Sequence, residues 1–381
     1  MNTRIIMMDY AGGHVPNAGM RGGVYGRREI ADLFSLFRDV GFDTVWFRTS
    51  FCGAVCYHSK VMKPFDGEYR LFVDEPLKCA MAEFDPLEVV LREADRCGLK
   101  VLAWITPLDN YYPGIEDPVL ARNPRWLLRS RDGRHAMRGM PCFAYREYMD
   151  LRVDEVREVM EYGCDGVFHS WATHCVCTQA EGDPPDVPDS FGFNQPILDE
   201  YHRRHGEPAG EQDYEIELIA EIHSDFMDDF VESAAGAVHA DGGEYVTTTT
   251  SGVLTTDDYS WYTYRPQGAK VFRLPAHWRK WVKKGWVDRM SAGAGGHWLA
   301  ENEKVAPLSV PIIGTMHAAW GDDPNLPAEM QASFSDRVQR CLQGPFGAVA
   351  LQESDSIEAS APELWAQLKA LFRQCESTRC D

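Results

Sequence analysis

Residues 85–106 read DPLEVVLREADRCGLKVLAWIT. Apolar side chains recur three and four positions apart from Leu87 to Cys97, which predicts an amphipathic helix over Asp85–Cys97. Gly98 stands where that helix must stop, because Gly takes a left-handed C-cap without steric cost. The run Lys100–Thr106 is short, continuous and apolar, as a strand buried on both faces reads. One helix, one stop and one strand thus form a unit.

The same unit recurs in both directions. Candidate strands are Arg4–Tyr10, Thr44–Thr49, Lys100–Thr106, Gly166–Trp171, Glu244–Thr250, Val287–Ala292, Val310–His317 and Gly347–Gln352. Helical patterns alternate with them over Arg28–Val40, Asp85–Cys97, Arg146–Tyr162, Asp213–His239, Ala276–Lys284, His297–Lys304, Ala328–Leu342 and Ala361–Arg373. Gly163 and the Gly344-Pro345 pair end helices ahead of the fourth and eighth strands. Alternating βα units of this number predict an α/β chain closed as a single (β/α)₈ TIM barrel with long βα loops on its C-terminal face. No repeat of fixed length, low-complexity tract or composition break divides the chain, so residues 1–381 are expected to form one domain. The segment His174–Gln212 holds Pro184, Pro185, Pro188 and several acids but little apolar material, and is expected to be a rim or lid insertion after strand four.

A formal charge of −20 on 381 residues argues against nucleic acid or an anionic membrane surface as partner. The first apolar run is too short for a signal-peptide core, and no stretch approaches a membrane span, so a cytoplasmic protein is expected. Eleven Cys without regular spacing fit reduced thiols. Nothing in the sequence indicates a homo-oligomer, and no cofactor is expected.

Four stretches resemble the family-10-like glycosyl hydrolases, bacterial barrels distinct from the true family-10 xylanases. They are Phe84-Asp85-Pro86-Leu87 with Arg96–Ile105, Asn123-Pro124-Arg125-Trp126-Leu127-Leu128 followed by Asp132-Gly133, Phe191–Ile197 with Glu200–Gly206, and Trp278–Asp288. The resemblance covers roughly residues 84–290 and implies a barrel with a carbohydrate ligand. The chain departs from the family at the end of strand four, where Asp165-Gly166-Val167-Phe168-His169-Ser170 places Ser170 at a position that members often fill with Asp.

Glycoside cleavage needs two carboxyl groups facing the scissile bond. Asp9 ends strand one, Asp109 lies just beyond strand three, and Glu353 and Asp355 follow strand eight. Strands one and eight are neighbours in a closed barrel, so Asp9 and Glu353 are expected to lie close together. Glu353, Asp9 and Asp109 are therefore the candidate catalytic acids, with Glu353 the most important. Asp9 could instead hold the Gly12-Gly13 turn, and Asp109 is also turn chemistry.

His14, His58, His169, His174 and His317 fall at or beyond strand ends, without the HxH or HExxH spacing of a metal site, so no metal is expected. Aromatic rings on the same rim suit the apolar faces of sugars. The expected substrate-binding set is Arg48, His58, Trp104, His169, Ser170, Trp171, Arg289, His317 and Trp320, with Asp9, Trp104, His169, His317 and Glu353 lining one pocket. Arg48 and Arg289 would recognise a substrate carboxylate or pair internally with Asp9 or Glu353, and the internal pairing is preferred. Trp46 and Trp281 read as core. The leading reading is a glycoside hydrolase acting on a small oligosaccharide or glycoside. The alternatives are a metal- or His/Tyr-assisted sugar-acid lyase or isomerase, and a sugar-binding barrel without catalysis.

Overall fold

A computed structural model gives the fold; the residues described are 3–66, 74–112, 115–171, 186–248, 254, 259–262, 269–294, 299, 302–303, 309–317 and 334–377. Eight parallel strands close a barrel: β1 (Thr3–Met8), β2 (Thr44–Arg48), β3 (Lys100–Ile105), β4 (Gly166–His169), β5 (Glu244–Thr248), β6 (Arg289–Gly293), β7 (Ile312–His317) and β8 (Ala348–Gln352). Each pairs with the next in chain order, and β8 returns to β1. The chain is thus a (β/α)₈ barrel, and all eight strands fall where the sequence places them, with ends shifted by a residue or two.

Packed around the wall are helices α1 (Arg27–Val40), α2 (Pro86–Cys97), α3 (Arg146–Glu161), α4 (Ile216–Ala240), α5 (Trp278–Lys284), α6 (Phe334–Gln343), α7 (Ser354–Ser360) and α8 (Leu364–Ser377). The α2 unit shows why the sequence folds this way. Asp85 caps the helix by accepting from the N–H groups of Leu87 and Glu88, Pro86 fills the first turn, and Gly98 ends it at φ +70°. Most of the expected helix His297–Lys304, and the start of Ala328–Leu342, lie outside the described residues.

Several long βα segments fold into two-stranded hairpins, among them Leu127–Arg129 with Ala136–Pro141. The described part of the segment after strand four docks there. Asn194 accepts from the Arg129 N–H at 3.1 Å and donates to the Leu127 carbonyl at 2.8 Å, and helix Gln195–His205 follows. Among the described residues, no helix is long and apolar enough to cross a membrane.

The barrel interior is filled by side chains such as Met7, Trp46, Trp104, Phe168, Val246 and Ile313, with Trp46 stacked on Phe168 at 3.9 Å. At Gly166 the wall leaves no room for a side chain, because a Cβ there would lie 2.1 Å from the Glu244 carbonyl of the paired strand. Gly166→Ala is expected to cost about 1–3 kcal/mol through forced strand displacement. A urea midpoint equal to that of the parent would show that the wall yields.

Candidate functional site

Side chains alternate between the two faces of each strand. Continuing the interior parity of Met7, Trp46, Phe168, Ile313 and Ala350 by steps of two carries Asp9, Arg48, Ser170, His317 and Gln352 to the C-terminal mouth. This is the face on which barrel active sites lie.

Arg48 organises one side of the mouth. Its Nη1 donates to Asp9 Oδ2 at 2.6 Å and its Nη2 to Asp109 Oδ2 at 2.7 Å, and all three side chains are buried. Trp104 and Phe51 lie 5.2 and 5.1 Å from the guanidinium carbon. Burial alone would lower the Arg48 pKa, but the charges of Asp9 and Asp109 raise it above the usual value. The internal pairing expected of Arg48 is therefore present with Asp9, and its second partner is Asp109.

The other side is the exit from β8. Glu353 is half-buried, and its Oε1 accepts from Gln352 Nε2 at 3.0 Å. Two residues on, Asp355 is 6% exposed, and its Oδ1 has no hydrogen-bond partner among the described residues. Burial, then the charges of Glu353 and Asp9, push its carboxyl up to about 8, so it is neutral at pH 7.

The Gly12-Gly13 pair makes room for both strand ends. A Cβ on Gly12 would lie 2.6 Å from Asp9 Oδ2, and one on Gly13 would lie 2.3 Å from the Asp355 carboxyl carbon. Asp9 also accepts from the Gly12 N–H at 2.7 Å, so it holds the turn as well as pairing with Arg48.

Four expected ligand residues lie elsewhere. His169 sits one step off the interior parity and faces the helices, where its Nδ1 meets the Tyr245 hydroxyl at 2.7 Å and its ring packs on Phe230. Burial lowers its pKa to about 3, so it is neutral. Trp171 donates to Thr247 Oγ1 at 2.7 Å and packs among Phe143, Phe230 and Trp281. His58 bonds the Met81 carbonyl at 2.7 Å, beside the cap of α2. Arg289 opens β6, so it lies at the opposite end of the barrel, where it pairs with Glu244. Trp320 and His174 lie outside the described residues. The structure thus brings Asp9, Arg48, Trp104 and Asp109 together and leaves His58, His169, Trp171 and Arg289 apart.

Sequence reasoning places Asp355 after strand eight without giving it a role in the site. Its environment comes from Gly13, far away in sequence, so nothing near Asp355 announces it.

No protein-family model matches the chain, and no curated protein matches it in sequence. Among solved structures, it is similar to α-L-fucosidase isoenzyme 2 from Paenibacillus thiaminolyticus, at 13% identity and a TM-score of 0.63, over 100% of this chain and 50% of that one. An α-galactosidase from Lactobacillus brevis matches at 11% identity and a TM-score of 0.53, over 98% and 40%. A GH36 α-galactosidase from Geobacillus stearothermophilus matches at 11% and 0.50, over 100% and 42%. The chain therefore spans half or less of the length of these proteins. They are glycoside hydrolases, and at such identity the likeness establishes the barrel alone, while the narrower family-10-like resemblance has no matching family model.

Proposed function

We propose that this barrel hydrolyses the O-glycosidic bond of a small oligosaccharide or glycoside inside the cell, with Glu353 as the leading acid. The observation that carries the reading is the contrast between the carboxyl groups at the β1–β8 seam. Asp9 is matched with a cation, whereas Asp355, beside Glu353, is pushed to the neutral form. A carboxyl group held neutral close to one paired with a cation offers the proton-donating and carboxylate roles that glycoside cleavage requires. A neutral acid gives its proton to the departing glycosidic oxygen. A carboxylate either takes a proton from the water that adds to the anomeric carbon, or adds there itself to form a glycosyl ester, which water then cleaves as the first group takes back a proton. Glu353, half-buried just beyond β8, is the group that we assign to meet the sugar, and Asp355 is the proton-holding neighbour whose carboxyl the Glu353 charge pushes up. Likeness to glycosidase barrels agrees with this reading at the level of fold.

A screen of aryl glycosides tests it. Turnover of at least one substrate is expected, with kcat/KM falling as pH rises past about 8, where Asp355 loses its proton. Stability should follow the same group. The folded value near 8 lies above the ordinary 3.8, so the folded state holds a proton that the unfolded chain has released. The resulting stability is complete below about pH 4 and is lost as pH rises towards 8. Asp355→Asn should flatten that slope in thermal melts between pH 4 and 8. Parallel slopes for parent and variant would deny Asp355 its neutral state.

A further inference from the structure

His14 is one of the rim histidines, and the hydrolase reading leaves it without a role. Its ring is buried and both nitrogens are engaged. Nε2 meets Ser354 Oγ at 2.7 Å, and Nδ1 meets Glu358 Oε2 at 3.1 Å. Ser354 opens α7 and Glu358 lies one turn later, so a single imidazole grips the start of the helix that follows Glu353. The backbone of His14 is tied in the other direction, its N–H donating to the Asp9 carbonyl at 2.9 Å. Tyr25 covers the ring at 4.6 Å.

We propose that His14 is a positioning residue that sets Glu353 and Asp355 in place relative to Asp9, acting through Ser354 and Glu358. The proposal rests on the hydrolase reading of the same site. Its warrant is topological. The β1–β8 pairing runs from Thr3 with Ala348 to Ile6 with Leu351, so Asp9, Glu353 and Asp355 all lie beyond the last paired residues. The barrel wall fixes the strands but leaves the separation of these acids unset. His14 spans that gap, with one bond to the first strand's exit and two to the eighth's.

The bonding also has a defined tautomer. The Glu358 carboxylate, held below its usual pKa by the hydrogen bond from His14, accepts from Nδ1–H. In neutral His14, Nε2 then accepts the Ser354 hydroxyl proton. In the imidazolium form it donates to Ser354 Oγ instead, so the link survives either state. The order Ser354, His14, Glu358 also occurs in acyl-transfer triads. Ser354 is 0% exposed, which removes it from the reach of a substrate carbonyl and leaves the positioning role.

His14→Phe keeps a ring beside Tyr25 and removes both side-chain bonds, while Ser354→Ala and Glu358→Gln each remove one. Displacing reacting groups by about 1 Å can cost about 10²-fold in rate, so kcat should fall by that order in His14→Phe with KM little changed. The single-bond variants should fall between it and the parent. A readout independent of turnover is the ¹³C titration of the Asp355 carboxyl in the free protein. It should move down from about 8 towards the ordinary 3.8 when the clamp is released and burial against Gly13 relaxes. A folded His14→Phe protein with unchanged kcat and an unmoved Asp355 titration would overturn the proposal. Where His14→Phe does not fold, Ser354→Ala and Glu358→Gln decide by the same two readouts. If the parent turns over no glycoside, the hydrolase reading fails by itself, and the Asp355 titration still decides whether His14 sets the segment.

Discussion

Arg48→Met is expected to lower the stability of the folded chain by about 3–5 kcal/mol, the range for removing one partner from a buried ionic group. Met fills much of the same volume, so the loss would come from charge and not from a cavity. Asp9 and Asp109 are 4% and 2% exposed, and each meets the guanidinium within hydrogen-bond distance. Without Arg48, two carboxylates would face each other in a region that water does not reach, and like charges there would add to the desolvation cost. Adding Asp109→Asn to Arg48→Met should restore part of the loss, because one stranded charge disappears. The two effects should be strongly non-additive, since all three groups share one network. Urea unfolding of the single and double variants measures this directly. A loss below about 1 kcal/mol for Arg48→Met, typical of exposed pairs, would mean that the cluster is hydrated.

The fold was legible because its signals are local. Leu87 to Cys97 carry a helical period, Gly98 stops it, and Lys100 to Ile105 form an unbroken apolar strand. Strand parity was not legible. Barrel strands are buried on both faces, so Val167, Phe168 and His169 give no alternation of apolar and polar residues to show which points inward. That single step separates Phe168, in the barrel, from His169, among the helices.

Arg289 was misplaced for a different reason. The expected strand Val287–Ala292 puts it mid-strand, whereas the observed strand begins at Arg289, beside Glu244 at the start of β5. Boundaries of this kind are the least secure part of any sequence reading. The Arg48 pairing with Asp9 was legible because both residues end adjacent strands. The neutral state of Asp355 and the bonds of His14 were not, since residues 12–14 and 353–358 meet only after the barrel closes. Asp355 and Glu358 have no sequence-local cue to those partners.

Glu353→Gln is the substitution that bears most directly on the proposed chemistry. Removing a general acid or base lowers rate by about 10²–10⁴-fold, and removing a nucleophile often costs more. The Gln side chain keeps the shape, and Glu353 is half-buried, so the fold should tolerate the change. A scaffold role predicts the opposite pattern, in which thermal stability falls and turnover survives. The decisive measurement takes parent and Glu353→Gln proteins side by side and records kcat/KM on an active aryl glycoside together with the melting temperature. A fall of at least about 10²-fold in kcat/KM with an unchanged melting temperature is the predicted result. Turnover close to that of the parent, whether or not the melting temperature falls, would contradict the account.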